Sequence, residues 1–235
     1  KAFIKKKYIV KKFKWNNYLD NDSNWKKSII KIETIFCNGF FINRINNKFY
    51  QKVLSSNPDI VFIYRSNFIQ ARTLRRIKKI KKEIILISYN NDNPFSSTYS
   101  FNYWKIFNSS ISFFDIVFAY RPTDIDYYKS AGAKNVFLMP PWFVKDLNYR
   151  DKSRCDNKFK HDVVFIGHYE NDGRINIFYE LQKRGINFNI YGPEWNKVIK
   201  RDKKLSHLYP IKYLHGEDYN KVLSNSKIAI AIYSS

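Results

Sequence analysis

The chain has 235 residues, 44% of them hydrophobic and 18% aromatic, which excludes a disordered protein and supplies apolar mass for one large core or two smaller ones. Its 42 Lys and Arg outweigh 20 Asp and Glu to give a net charge of +22, a balance that attracts anionic surfaces, nucleotides or nucleic acid; because lysines run from Lys1 to Lys227 without forming one block, in a chain crowded with Lys, Asn and Ile, drift of composition is the first reading and these attractions the alternatives. No apolar run reaches the roughly 18 residues of a membrane span, and the basic start from Lys1 to Lys7 lacks the apolar stretch of a secretory signal, so a cytoplasmic address is expected.

Residues 1–36 scatter Phe3, Ile4, Tyr8, Ile9 and Val10 among lysines and suit a basic helix or an edge strand alike. From Phe41 onward, Ile42, Ile45, Phe49 and Val53 recur at helical spacing, and Asn57-Pro58 stops that helix because a residue before proline leaves the α region. Ile60 to Tyr64 is a continuous apolar run, expected to be a strand covered on both faces. The next helix, about Gln70 to Lys82, turns Leu74, Ile77 and Ile80 inward. Its outer face carries Arg72, Arg75, Arg76, Lys78, Lys79, Lys81 and Lys82 and is either solvated or rests on a membrane surface.

Ile84 to Ser88 reads as a second strand, with the polar loop Tyr89-Asn-Asn-Asp-Asn-Pro-Phe95 at its carboxyl end. A helix near 101–112, a strand Ile116 to Tyr120, a helix Thr123 to Ser130 and a strand Val136 to Met139 complete a first domain over residues 1–141. Pro140-Pro141 opens an aperiodic, charged stretch, 142–160, read as an interdomain linker with Trp142 and Phe143 packing at the hinge. Beyond it, Val163 to Ile166, a turn from Gly167 to Gly173, a helix with Ile177, Phe178 and Leu181 on one side, and Phe188 to Tyr191 closed by Gly192-Pro193 form a βαβ unit within residues 161–235. Because the chain opens on Lys1 and stops at Ser235 just after an apolar strand, it reads as cut at both ends, with the second domain incomplete.

In order along the chain, Pro58-Asp-Ile-Val-Phe-Ile63, Asn91-Asp-Asn-Pro-Phe95, Phe114-Asp-Ile-Val-Phe118, Ala131-Gly-Ala-Lys-Asn-Val136, Pro140-Pro141, Val163-Val-Phe-Ile-Gly-His-Tyr169, Gly173-Arg174, Tyr191-Gly-Pro-Glu-Trp195 and Tyr213-Leu-His-Gly-Glu217 resemble the CgeB-like (spore maturation protein) glycosyltransferases. No single piece is specific; the signal is their order over roughly residues 50–235. The resemblance implies an α/β protein of two Rossmann-like domains (GT-B type), the first on the acceptor side and the second binding a nucleotide-sugar donor. It also implies transfer of a sugar to a glycan, a protein or another acceptor hydroxyl. The partners are then a nucleotide sugar and that acceptor, with peripheral membrane contact as an addition and nucleic acid as the last choice. No cofactor is expected beyond the nucleotide sugar as co-substrate, and no metal, since Asp20-Asn-Asp22 and Asp124-Ile-Asp126 lack the context of a metal-binding Asp-x-Asp.

Open parallel sheets bind ligands outside the carboxyl ends of their strands, where helix N-termini favour phosphate. On that rule Gly167, His168, Arg174, Gly192, Pro193, Glu194, His215 and Gly216 are the donor-side candidates, with Arg174 placed to grip two phosphate oxygens. Against this, Arg174 is equally a surface residue of the first helical turn and Trp195 equally core. On the first domain Asp92 is the catalytic candidate, as a carboxylate able to meet an acceptor hydroxyl. Arg65, Asn90, Asn91 and Asn93 are the acceptor-binding candidates, with turn chemistry as the other reading of the Asn-rich loop and an ion pair as the other reading of Arg65. Two competing functions remain: a basic α/β module for nucleic acid or anionic membrane, and a GT-B scaffold without catalysis.

Overall fold

A computed structural model describes residues 7–18, 24–96, 102–151 and 160–232. The chain divides into two compact units, Lys1–Pro141 and Trp142–Ser235.

In the first unit, helix α1 (Asn24–Phe36) and helix α2 (Phe40–Ser56) precede four strands, β1 (Ile60–Tyr64), β2 (Ile85–Tyr89), β3 (Ile116–Ala119) and β4 (Val136–Leu138). Between these strands lie α3 (Ala71–Ile80), the short α4 (Lys105–Asn108) followed by a 3₁₀ turn at Ile111–Phe113, and α5 (Asp124–Ser130). The strands pair in parallel in the order β1-β2-β3-β4. A parallel sheet that grows in one direction by right-handed crossovers collects its helices on one face. Burial follows that rule: Val61, Ile63, Leu86, Val117 and Ala119 join Leu74, Ile77, Phe107 and Phe114 in one core, whereas Ile60, Phe62 and Tyr64 are exposed. The expectation that β1 is covered on both faces is therefore corrected, because its burial alternates.

The α2 helix buries the expected Ile42, Ile45, Phe49 and Val53, and also Asn46 and Tyr50. Its end is set by Asn57 in the left-handed conformation, which returns its N–H to the Val53 and Leu54 carbonyls. Its start is set from outside. The Glu33 carboxylate, on α1, accepts from the Phe41 and Ile42 N–H groups at 3.2 and 3.0 Å, satisfying two of the donors a helix start leaves open and placing negative charge at its positive end. Gly39 permits that approach: its φ is +152°, and a Cβ there would lie 2.1 Å from Glu33 Cγ.

The second unit has a three-stranded parallel sheet in the order β6-β5-β7, with β5 (His161–Ile166), β6 (Phe188–Tyr191) and β7 (Ser226–Ile230). Helices α6 (Ile175–Lys183), α7 (Trp195–Ile199) and α8 (Gly216–Ser224) accompany it. Phe165, Phe178, Phe188, Ile190, Trp195 and Ile199 form its core. Of the α6 residues expected to face inward, Phe178 is fully buried but Ile177 is exposed. The described part of the linker, 142–151, is tied to this unit: Leu147 O accepts from the Asn220 amide, and the Asp151 N–H donates to the Ser224 hydroxyl. No described helix is long and apolar enough to cross a membrane.

Candidate functional site

The carboxyl ends of β1, β2 and β3 gather the polar residues of the first unit. The β1-β2 register sets Tyr64 beside Tyr89, with ring centroids 5.9 Å apart, and the Tyr64 hydroxyl donates to Asn91 Oδ1 at 2.9 Å. Burial, with Tyr120 and Tyr64 nearby, pushes the Tyr89 hydroxyl up to about 12. Arg65 takes a left-handed conformation that turns the chain off β1, and its guanidinium meets the Asp92 carboxylate at 2.5 Å. The ion-pair reading of Arg65 holds, and the pair stands at the strand ends.

Asn90 lies beneath this rim, 1% exposed. Neither of its amide atoms has a partner of hydrogen-bonding geometry, although the Tyr128 hydroxyl is near enough to interact. Asn93 differs from its neighbours, because its Oδ1 accepts from the Phe95 N–H at 2.9 Å and closes the loop as a local turn. That contact gives Asn93 a part in shaping the loop.

Asp124, considered in the sequence only as part of an Asp-x-Asp and set aside as a metal ligand, belongs to the same cluster. It opens α5 just after β3 and is 1% exposed, with the Arg121 backbone and the Thr123 hydroxyl as its neighbours. Burial raises its pKa, partly offset by Arg121, and its charge in turn acts on Tyr128, whose hydroxyl burial drives well above the usual value. A buried carboxylate is not foreseeable from the order Thr-Asp-Ile-Asp; the available signal is its place at a strand's carboxyl end.

In the second unit, the turn after β5 is packed against the turn after β6. Gly167 N donates to Tyr191 O, and Trp195 Nε1 donates to Gly167 O at 2.9 Å. A Cβ at Gly192 would stand 2.2 Å from that same oxygen, so glycine at 192, with φ +131°, is a condition of the contact. Pro193 O accepts from the Tyr169 N–H. Trp195 is fully buried against Phe165, Phe178 and Tyr169, as its core reading holds. Glu194 pairs with Lys197 at 2.6 Å, which holds its carboxyl below the usual range.

Arg174 is not presented as an open phosphate clamp. Its side chain is 3% exposed and bridges Asp172 at 2.7 Å and Glu170 at 2.8 Å, while Nη1 donates to His168 O at 2.7 Å. Every guanidinium nitrogen is thereby engaged within the loop, and two carboxylates surround the one cation. Arg174 thus staples the 168–174 turn, holding Asp172 down to about 2. His168 remains exposed on that turn. His215 and Gly216 are exposed at the start of α8, where His215 abuts Tyr213 with ring centroids 4.0 Å apart. Glu217 and Asp218 occupy the first turn of α8 and counter its affinity for anions. Among the described residues no three His, Cys, Asp or Glu side chains converge as metal ligands.

No protein-family model matches the chain, and no curated protein matches it in sequence. Among solved structures, a UDP-N-acetylglucosamine 2-epimerase from Rickettsia bellii superposes with a TM-score of 0.50 at 12% identity, over 80% of this chain and 55% of that one. At that identity the likeness is one of fold. The chain is an α/β protein of two Rossmann-like units, GT-B type. The lipopolysaccharide outer core galactosyltransferase WaaB, in its apo form, superposes with a TM-score of 0.47 at 13% identity, over 80% of this chain and 54% of that one. The chain spans about half the length of each of these proteins.

Proposed function

We propose that this chain is part of a nucleotide-sugar-dependent glycosyltransferase that needs no metal, of the CgeB-like kind its motifs resemble. The observation that carries the reading is the rim of the first sheet. An exposed tyrosine face, two side-chain amides and a paired carboxylate stand together at the strand ends where open parallel sheets take ligands. Sugars present apolar C–H faces and many hydroxyls, and this rim offers a ring for the former and donors and acceptors for the latter.

In this proposal Tyr64, Asn91 and the Arg65–Asp92 pair receive the acceptor. Asp92 orients the attacking hydroxyl, with Asn90 beneath it as a polar floor that gains partners when a ligand or water enters. The donor is held at the carboxyl end of β5 and β6 by the backbone around Gly167 and Gly192, with His168 as the exposed side chain. His215 and Gly216 contribute through the α8 start, and Arg174 positions the turn instead of touching phosphate.

The test titrates UDP-, GDP-, TDP- and CMP-sugars into the protein by calorimetry and analyses products with candidate glycans. Saturable binding of one donor, weakened by His168→Ala, with transfer reduced about 10²- to 10⁴-fold by Asp92→Asn, is the expected result. Binding of a UDP-sugar followed by its isomerisation without transfer would replace the transferase by an epimerase. Binding of no donor would sink both.

A further inference from the structure

Near the start of the first unit, Phe13, Trp15 and Tyr18 pack onto the core. Phe13 is stacked on Tyr18 at 5.5 Å and leans on Phe49 of α2 at 5.4 Å. These rings fix the segment alongside α2 and leave a groove of about 630 Å³ between the two, a size that takes a small ligand. Lys12 and Lys14 stand on one wall. The other wall is a single face of α2, where Lys48, Gln51, Lys52 and Ser55 fall at i, i+3, i+4 and i+7. That face is not the one that buries Ile45, Phe49 and Val53.

The charge here is local and does not rest on the excess of the whole chain. Four of the nine lining residues are lysines, none is an acid, and none of the four ammonium groups pairs with a described acid. Like charges gathered in one concavity repel one another and focus their field on whatever enters, so a ligand with several negative charges close together relieves the repulsion. Ammonium groups meet phosphate oxygens as point charges, and no arginine among the lining residues supplies the planar fork that suits a carboxylate. We propose that this groove binds a small soluble polyphosphate, held between Lys12 and Lys14 on one wall and Lys48 and Lys52 on the other. Ser55 leads within a few residues into the start of β1, so this end of the groove lies toward the amino ends of the strands, away from the Tyr64–Asp92 rim. The inference therefore does not depend on which reaction the protein catalyses.

Calorimetric titration of inorganic triphosphate into the whole chain in about 0.15 M salt tests it. One saturable site per chain is expected. Lys48→Gln/Lys52→Gln and Lys12→Gln/Lys14→Gln should each weaken binding at least about tenfold. Lys134→Gln/Lys183→Gln, which removes as much charge at exposed positions elsewhere, should change it less than about twofold. Thermal melts followed by circular dichroism should be the same for all three variants, since the replaced side chains lie outside the core. Four results overturn the proposal. One is no saturable binding. A second is an equal loss in the Lys134/Lys183 variant, which assigns binding to dispersed charge. A third is a loss confined to one of the two groove pairs, which gives the ligand to a single wall. The last is binding that His168→Ala abolishes and the groove variants leave intact, which moves the triphosphate to the second unit.

Discussion

Asp124 and His161 are both buried titratable groups, and they respond to pH in opposite senses. Asp124 holds its proton more tightly when folded than its usual 3.8, so the folded state carries the extra proton. Its contribution to stability is full below 3.8 and is lost as pH rises through the raised value. Asp124→Asn removes a buried charge that Arg121 offsets only in part and should stabilise the protein near neutral pH by on the order of 1 kcal/mol. That gain should shrink toward pH 4 in urea titrations. His161, on β5, is 8% exposed, and its Nδ1 has no hydrogen-bond partner. Burial, reinforced by Lys160, keeps its pKa below 6.5. Here the unfolded chain takes the proton more readily, so stability is full above 6.5 and falls as pH drops below it. His161→Phe should flatten the melting temperature between pH 7 and pH 5, where the parent protein declines.

The elements show what could and could not be read in advance. The strands were legible because short β-branched and aromatic runs sit between Asn-Pro, Asn-rich and Gly-Pro punctuation. The one-sided cover of β1 was not, because Ile-Val-Phe-Ile-Tyr reads the same whether one face or two are packed. The Asn-rich loop and its Asp92 were legible from their place after β2. The commitment of Arg174 was written only in the nearby Glu170 and Asp172, which become its partners once the turn closes. Residues 1–36 gave no clear pattern, and α1 explains why: most of its apolar residues lie on an exposed face, while the inward side mixes Ile30 with the polar Glu33. The join between α1 and α2 gives an element-scale prediction. Glu33→Ala removes a charged acceptor from two N–H groups and should cost about 1–2 kcal/mol. Gly39→Ala should cost at least as much, since it adds a clash to a strained φ. Chemical denaturation of the two variants measures both.

At the scale of the whole molecule, charge sets the background against which any ligand is measured. A +22 protein attracts every polyanion, and that attraction weakens steeply with salt as counterion release loses its drive. A sugar nucleotide seated in a site makes few phosphate contacts, so its affinity should change less than about tenfold between 0.05 and 0.2 M salt. RNA bound through scattered lysines should lose about 10³-fold or more over the same range. Filter binding and calorimetry at the two salt concentrations distinguish these behaviours, and a nucleotide-sugar affinity that collapsed like that of RNA would count against a formed donor site.

The Glu33 carboxylate makes two helices thermodynamically answerable to one side chain. Local opening of α1 removes the acceptor from the Phe41 and Ile42 amides, so these protons should exchange with solvent in step with the amides of α1 and ahead of the α2 interior around Phe49 and Val53. Hydrogen exchange would then report α1 and the first turn of α2 as a single cooperative unit. A ligand that seizes α1 without unfolding it should slow exchange at Phe41 and Ile42, residues it need not touch.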